Sequence, residues 1–426
     1  MGRRSTVALV LALLALIGGL ATGRDLLFNL AYLFALLLIV SFVWAWVNIN
    51  WLYLSRVTRT RRAQVGEPLE ERFTVRNTSI VPKLWLEVHD YSTVPEHRAS
   101  HVVNNLGGRS SFGWRVTTIC TERGRYQLGP LALTSGDPFG FFPMRRELPA
   151  TSHVVIYPLT VDIHQFALPL GLLPGGDALR RRTHYVTTNA AGVREYAPGD
   201  SFGRIHWPST ARRDRLIVKE FELDPMADIW IIPDMASFVH VRNDQPRAPI
   251  RTDNIPLWMR SRERVFQLPE ATEEYVVTIA ASLARYFLRH DRAVGLLAYG
   301  QTHELVQPDR GERQLNRILE TLAVLRAQGR VPIAGLLHAE SQMLPRGSTI
   351  IVVTPTTTEE WITAARQQLQ RGLRLVTVLV EPESFGGHRS GAPLAGLLRA
   401  SGVFTYLVER GDNLTEALSN TPGRLR

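Results

Sequence analysis

Two long stretches of apolar, uncharged residues occupy the start of the chain. Residues 5–23 read STVALVLALLALIGGLATG, and residues 26–55 are apolar over most of their length. A helix needs about 20 predominantly apolar residues to cross a bilayer. Only Arg24 and Asp25 separate the two stretches, so residues 1–60 predict a transmembrane helical hairpin with helices over about 5–23 and 26–55.

Arginines flank the outer ends of this predicted hairpin. Two precede the first stretch, four follow the second, and the connection holds one arginine beside Asp25. Because cytoplasmic flanks are rich in Lys and Arg, we expect a multi-pass inner (plasma) membrane protein with both termini and the folded domains in the cytoplasm. For the first stretch a cleaved signal peptide is the alternative, since basic residues, an apolar run and small residues at 18–23 are compatible with one.

Short alternating runs replace the apolar stretches between residues 61 and 162. Residues 73–77 and 84–88 alternate apolar and polar side chains, as half-buried strands do. Gly and Asn residues mark turns between such runs. The pattern predicts an all-β, sandwich-like domain over 61–162. In the Asp137-Pro-Phe-Gly140 turn we expect the phenyl ring to plug the sandwich edge.

Strands and helices alternate in the last part of the chain. The runs at 229–232 and 349–354 are typical of buried strands, whereas 272–290 places apolar residues at helical spacing. Such alternation implies a mainly parallel sheet covered on both faces. We expect an α/β, Rossmann-like domain over 226–426, with a polar insertion at about 240–268.

A linker and a dense motif lie between these two domains, over 163–225. The motif reads Arg-x-Tyr-x-Pro-Gly-Asp, then Ile-x-Trp, then Ala-Arg after a small residue, and then a strand ending in Glu. Its residues are candidates for a partner-binding or structural role. They are Arg194, Tyr196, Pro198, Gly199, Asp200, Ile205, Trp207, Ala211, Arg212 and Glu220.

The chemistry of this motif leaves two interpretations open. The Pro-Gly-Asp run is turn chemistry, and Asp200 can cap a short helix over about 202–210 with Trp207 on its inner face. The arginines of the motif can form bidentate pairs with nearby carboxylates. One interpretation is a buried polar brace, because buried charges are normally paired. The other is a docking surface for a partner.

The motif resembles the signature of the bacterial domain-of-unknown-function 58 family. Arg123-Gly124, Tyr126 and the turn at 137–140 are similar to that family's upstream segment. The resemblance implies a β-rich domain followed by a von Willebrand factor A-like domain. It also implies association with a MoxR-type AAA+ ATPase and with a transglutaminase-like membrane protein.

A von Willebrand factor A-like fold raises the question of a metal site. Metal-binding members carry Asp-x-Ser-x-Ser after the first strand, but this chain has Asp234-Met-Ala-Ser-Phe238. Thr354-Pro355 follows the third strand, where an Asp often follows in such domains. Mg²⁺ prefers about six oxygen ligands, and these residues are a poor set. We therefore expect no metal site.

Composition and missing motifs exclude several other classes. The net charge of +10 comes mostly from arginines within residues 1–62, whereas a nucleic-acid-binding domain spreads its charge over a folded face. Cys120 is the only cysteine, which excludes a disulfide scaffold, and we expect it in the core. A P-loop, a nucleophile elbow and zinc-ligand spacing are missing. We therefore expect no nucleic-acid partner, no cofactor and no enzyme.

The leading hypothesis is a membrane-anchored scaffold or adaptor. It would work with a MoxR-type AAA+ ATPase in the assembly or maturation of other proteins, and the choice of partner rests on family resemblance. The first alternative is a divalent-metal-dependent ligand-binding module. The second is a hydrolase, or the partner of one, acting on envelope polymers. A hydrolase needs a nucleophile and a base within hydrogen-bond reach, and the sequence shows no such pair.

Overall fold

The structure of the chain is a computed structural model. It describes residues 3–59, 62–149, 151–168, 190–196, 206–213, 215–221, 228–242 and 268–419. The chain divides into two compact units. The first consists of Met1–Asp162, His240–Ser282 and Leu315–Gly329, and the second of Ile163–Val239, Leu283–Gln314 and Arg330–Arg426.

Two apolar helices open the first unit, as predicted. Helix α1 spans Arg3–Thr22 and α2 spans Asp25–Ile49. Both are long and apolar enough to cross a membrane. The predicted end of the second helix at residue 55 is wrong, because Leu52–Thr58 forms strand β1. Leu52 and Leu54 lie on the same side of this strand and are buried in the β core, at 6% and 8% exposed. This burial favours a strand over continuation of the helix.

Helix α2 runs directly into the β-rich part of this unit. Near its end, Asn48 Nδ2 donates a buried hydrogen bond of 2.7 Å to Ser135 Oγ. Lys83 Nζ donates to the Val47 carbonyl oxygen, at the end of the helix where the macrodipole favours a cation. Burial lowers the pKa of Lys83. The β-rich part therefore begins at β1, within the residues 1–60 that we assigned to the hairpin alone.

Three sheets build the β-rich part, which confirms the expected strand-and-turn character. Its remaining strands are β2 (Arg62–Gln64), β3 (Pro68–Asn77), β4 (Lys83–Asp90), β5 (His101–Leu106), β6 (Ser111–Ile119), β7 (Gly124–Leu128), β8 (Leu131–Ser135), β9 (Met144–Leu148) and β10 (Ser152–Tyr157). The sheet orders are β1-β3-β6, β2-β10-β7 and β5-β4-β8-β9. All pairings are antiparallel except β2 with β10.

Two hydrophobic cores hold these sheets. Phe73 and Val75 of β3 pack in one core with Leu86 of β4 and Leu131 of β8. Cys120 belongs to the other and is fully buried, as predicted.

The predicted phenyl plug at the sheet edge is wrong. Phe139 is 53% exposed. The loop turns outward because the Asp137 carboxylate accepts the backbone N–H groups of Phe139 and Phe142, at 3.0 and 2.7 Å.

A six-stranded sheet forms the centre of the second unit. Its strands are β13 (Ile229–Pro233), β14 (Val294–Tyr299), β15 (His303–Asp309), β16 (Thr349–Thr354), β17 (Arg374–Val380) and β18 (Phe404–Val408). The order is β15-β14-β13-β16-β17-β18, and only β15 is antiparallel to its neighbour. The expected mainly parallel sheet is confirmed, and β15 forms an antiparallel hairpin with β14.

Helices alternate with these strands along the chain. They are α4 (Thr272–Arg289), α5 (Glu312–Val324), α6 (Ile333–Ala339), α7 (Glu360–Gln370), α8 (Ala392–Ala400) and α9 (Leu414–Ser419), with 3₁₀ turns at Glu340–Gln342 and Glu383–Phe385. Trp361 of α7 is fully buried in a core with Trp230 of β13 and Leu398 of α8. Most of the predicted insertion at 240–268 lies outside the described residues.

Candidate functional site

The motif segment folds around one pair of strands. Strand β11 (Ala190–Glu195) runs antiparallel to β12 (Ile217–Phe221), and helix α3 (Trp207–Arg213) lies between them in sequence. The Tyr196 N–H donates to the Leu216 carbonyl oxygen at 2.8 Å, and the His206 N–H donates to the Ile217 carbonyl oxygen at 2.8 Å. Thr210 Oγ1 accepts the Ile217 N–H at 3.0 Å. These bonds fasten both ends of the connection to the start of β12.

Helix α3 presents several motif side chains to solvent. Trp207 is 64% exposed, and Ala211 and Arg212 are exposed as well. The predicted inner position of Trp207 is therefore wrong. His206 is not helical and α3 begins at Trp207, so this tryptophan is its first residue. A helical side chain leans toward the N-terminus of its helix, away from later turns. Ile217, at the start of β12, takes the buried position at 1% exposed.

The other predicted motif residues divide into two groups. Arg194 and Glu220 lie in the strand pair, where Arg194 faces Val218 and Glu220 faces Gly192 in the register. The turn residues Pro198, Gly199 and Asp200, together with Ile205, lie outside the described residues. The structure thus brings Arg194, Tyr196, Trp207, Ala211, Arg212 and Glu220 into one strand–helix–strand module, which we call the signature module (residues 190–221).

A hydroxyl–imidazole contact lies at the start of α3, which sequence reasoning did not anticipate. His206 Nδ1 is 2.7 Å from Ser209 Oγ, and the Ser209 N–H donates to the His206 carbonyl oxygen at 3.0 Å. Both residues are partly exposed. The imidazole contacts a hydroxyl of the first helical turn rather than a backbone N–H group, so it braces the turn without capping it. The same pair has the separation of a nucleophile and its base.

Asp234 lies at the carboxyl end of β13, where the sheet order changes direction between β13 and β16. Its side chain is almost fully buried. Oδ2 accepts the Thr354 hydroxyl at 2.6 Å, and Oδ1 accepts the Ala236 N–H at 3.1 Å. Thr354 Oγ1 in turn accepts the Thr356 N–H at 3.0 Å. Both carboxylate oxygens thus have protein donors, which is the geometry of a strand-end brace.

A buried charge cluster lies in the β-rich part of the first unit. It consists of Arg56 on β1, Glu71 on β3, Asp90 at the end of β4 and His97 in the following loop, with side chains at most 4% exposed. Arg56 pairs with Asp90, and its Nε lies 3.5 Å from Glu71. His97 Nε2 lies 3.0 Å from both carboxylates. Sequence reasoning missed this cluster.

Protonation of His97 makes this cluster electrically balanced. Burial alone would lower the pKa of His97, but hydrogen bonds to Asp90 and Glu71 and the charges of both carboxylates raise it from 6.5 to about 9. Burial would raise the pKa of Asp90, but its bonds to His97 and Ser92 and the charge of Arg56 lower it. Two cations then face two anions.

Ligand atoms of Glu71, Asp90 and His97 lie within 4.8 Å of one another, close enough for a metal ion. Arg56 already supplies a cation there, and a metal ligand must be a neutral imidazole. His97 Nδ1 also contacts Thr118 Oγ1 at 2.8 Å, but a protonated, buried imidazole is not a base at neutral pH. The cluster is therefore a structural brace.

A second buried cation, Arg123, joins the β-rich part to two helix ends of the same unit. It precedes β7 and is 1% exposed. Its Nε and Nη2 donate to Glu274 and Glu273, at 3.0 and 2.6 Å, in the first turn of α4. Its Nη1 donates at 2.9 Å to the Leu322 carbonyl oxygen and also to that of Leu325, at the end of α5. Acidic residues at a helix start and a cation at a helix end both suit the macrodipole.

Comparison with known proteins decides the family. Residues 192–246 match the family model described as a protein of unknown function, DUF58. The chain is also 23% identical over 343 residues to the uncharacterized protein YeaD of Bacillus subtilis, across 77% of this chain and 75% of that protein. The segment at residues 192–246 therefore belongs to the DUF58 family. The matched residues include the whole signature module except its first two residues.

Solved structures resemble this chain only weakly. The CARDB domain of a Pyrococcus furiosus protein, crystallised with two metal ions, is 17% identical with a TM-score of 0.19, covering 25% of this chain and 91% of that domain. The Pseudomonas fluorescens DNA glycosylase AlkC is 16% identical with a TM-score of 0.17, covering 25% and 30%. Likenesses this weak carry no argument about fold or activity.

Proposed function

We propose that this protein is a membrane-anchored adaptor that docks a partner protein on its signature module. One observation carries the proposal: the family-matched segment holds a tryptophan that is 64% exposed at the start of a short helix. A large exposed aromatic residue is unfavourable in water. Tryptophan and arginine are also the residues that contribute most often to interface hot spots.

The geometry around Trp207 suits docking. Trp207 and Ala211 are four positions apart and share one face of α3, and Arg212 follows directly; all three are exposed. Hydrogen bonds to β12 hold the helix before any partner arrives. A surface that is already ordered loses less conformational entropy on binding, which supports a partner interface over a second buried brace.

The proposal also includes a membrane anchor and a class of partner protein. Helices α1 and α2 would cross the inner membrane as a hairpin, and the arginines at its outer ends would keep the domains in the cytoplasm. Family resemblance suggests a von Willebrand factor A-like role for the α/β unit and a MoxR-type AAA+ ATPase as partner. The adaptor would hold that ATPase, or its client, at the membrane during assembly or maturation of other proteins.

The experiment compares exposed substitutions whose folding cost is small. The full chain is purified in mild detergent, and its binding to the purified host MoxR-type ATPase is measured by biolayer interferometry. Trp207→Ala and Arg212→Ala should each weaken binding at least tenfold, because hot-spot truncations cost about 2 kcal/mol or more. Leu397→Ala is the matched control, since Leu397 is 48% exposed on α8 of the same unit.

Two results would overturn the adaptor proposal. One is equal binding by wild type and the Trp207 and Arg212 variants, with all melting temperatures unchanged. The other is equal weakening by Leu397→Ala, which would indicate nonspecific adhesion. Surface substitutions usually change stability by no more than about 0.5 kcal/mol, so unfolding is not expected to obscure either result.

The His206–Ser209 contact favours a second candidate, a serine hydrolase. Its 2.7 Å separation is within reach of proton transfer. A fluorophosphonate probe should then label wild type but not Ser209→Ala, and labelling should fall in His206→Gln. No labelling of native wild type at neutral pH, beside a labelled control hydrolase, would reject the hydrolase and leave the contact as a local brace of the first helical turn.

A further inference from the structure

An apolar cleft with two arginines at its mouth lies within the first unit. Its volume is about 400 Å³. The wall is made by side chains of both apolar helices and of the loop at 136–143. The residues are Arg3, Arg4, Val7, Ala8, Leu11, Phe34 and Phe141.

The loop that closes this cleft is fixed against the helices. Asp137 holds its turn through two backbone N–H groups. The Phe142 ring packs edge-on against Phe42 of α2, with 5.5 Å between centroids. Phe139 stacks on Phe141 at 5.8 Å and is itself 53% exposed. An aromatic loop therefore lies alongside the apolar helices with one ring facing outward.

Charge is concentrated at one end of the cleft. Arg3 and Arg4 are exposed at the start of α1, and neither forms an ion pair with a described carboxylate. Arg4 points toward the loop, since a Cβ added to Gly140 would lie 3.0 Å from its Nη1. From Arg4 to Leu11 the helix rises about 10 Å. The lining thus changes from cationic to apolar over roughly the depth of a headgroup region and the first part of an acyl chain.

We propose that this cleft binds one anionic glycerophospholipid of the surrounding membrane. The phosphate would accept hydrogen bonds from Arg3 and Arg4, since guanidinium groups recognise phosphate oxygens bidentately. One acyl chain would lie along Val7, Leu11 and Phe141. The exposed Phe139 ring would enter the same headgroup–acyl boundary, where aromatic side chains are favoured. Basic pockets between cytoplasmic ends of membrane helices are a known form of headgroup site.

This inference rests on the membrane placement in the proposed function and is independent of docking at Trp207. It gives the hairpin a second role. A lipid held between the helices and the aromatic loop would fix the β-rich part against the bilayer surface, so the unit would sit on the membrane at a defined height.

Native mass spectrometry of the full chain tests the site. The protein is released from detergent after titration with phosphatidylglycerol or with phosphatidylcholine carrying the same acyl chains. Wild type should retain one phosphatidylglycerol and bind it more tightly than phosphatidylcholine. Arg3→Ala with Arg4→Ala should weaken phosphatidylglycerol binding at least tenfold and remove the preference, because each arginine near a membrane surface contributes about fivefold in affinity.

Two further variants separate the cleft from general attraction. Leu11→Trp fills the apolar part without changing charge, and it should displace both lipids from the site. Arg24→Ala removes an exposed arginine at the opposite end of the hairpin and should leave binding unchanged. If the double arginine variant retains phosphatidylglycerol like wild type, or if Arg24→Ala weakens binding equally, the cleft is not a specific lipid site.

The outcomes also distinguish this inference from the proposed function. If the wild-type chain fractionates with membranes and binds the ATPase but shows no preference for phosphatidylglycerol, the lipid proposal alone is overturned. A chain that fractionates without membranes would overturn the anchor and the lipid site together.

Discussion

Arg123→Met is a substitution for which the structure predicts a large loss of stability. The guanidinium is 1% exposed and bonds two carboxylates and two helix-terminal carbonyl groups. Methionine keeps the apolar volume of the stem but removes every donor. Glu273 and Glu274 would then lose their buried partner, and the carbonyl groups at the end of α5 would lose theirs.

The expected cost follows from how far the partners are buried. Removing one member of a buried ion pair costs about 3–5 kcal/mol. The side chains of Glu273 and Glu274 are 23% and 17% exposed, and the Arg326 guanidinium lies 3.6–3.8 Å from their carboxylates. Water and Arg326 can therefore compensate part of the loss. We expect about 3 kcal/mol for Arg123→Met and a smaller loss for Arg123→Lys, whose ammonium cannot reach all four acceptors at once.

Measuring the free energy of unfolding in detergent tests this prediction. Urea transitions are followed by circular dichroism, and hydrogen exchange of peptides from α4 and α5 reports whether those helix ends open first, since a two-unit chain need not unfold in one step. Arg125→Met is the matched control, because Arg125 is exposed two residues later. If Arg123→Met and Arg125→Met differ by less than about 0.5 kcal/mol, the argument that Arg123 braces the helix ends is refuted.

Three further predictions concern other buried polar groups. The pKa of His97 is raised, so protonated His97 stabilises the fold by roughly 3 kcal/mol below pH 6.5, and this contribution is lost as the pH rises toward 9. The melting temperature of wild type should fall between pH 6.5 and 9, and that of His97→Gln should change less over the same range. Burial raises the pKa of the Cys120 thiol to about 11, so a thiol reagent at pH 8 should label only unfolded protein, and labelling of the native chain would contradict this. Thr354→Val should cost about 1–3 kcal/mol by removing a donor to the buried Asp234 carboxylate, and added Mg²⁺ should not change the melting temperature of either protein; a stabilising shift would revive the metal-binding alternative.

Periodicity predicted most of the fold because the relevant forces are local. The strand at 349–354 has the predicted bounds, since a run of β-branched residues between turns leaves little freedom. The end of α2 was wrong for a different reason. Residues 50–55 are apolar enough for a membrane helix, and only pairing of β1 with β3, a long-range contact, makes them a strand.

The candidate site was less predictable, for reasons that differ between its parts. The motif was visible in sequence, but whether Trp207 is buried depends on where α3 begins, and helix starts are the least certain part of such predictions. The buried charge cluster did have a signal: Glu71 stands two residues from Leu69 and from Phe73, at an inward position of an alternating strand. A charge in that position predicts a buried partner, although the partner's identity depends on tertiary pairing.

Burial separates the polar groups of this chain into two kinds. Arg123 and the buried charge cluster meet opposite charges or carbonyl groups of their own unit, and the Asp234 carboxylate meets donors of its own. Arg56 Nε and Nη1 and Glu71 Oε2 have no hydrogen-bond partner among the described residues, so charge pairing holds that cluster together. Trp207 and Arg212 remain exposed on a segment held rigid by backbone hydrogen bonds. Desolvation makes unpaired buried charge costly, so selection for stability alone accounts for the first kind. It does not account for a rigid, exposed tryptophan within the family-matched segment, and this asymmetry favours partner binding over bracing as the role of the signature module.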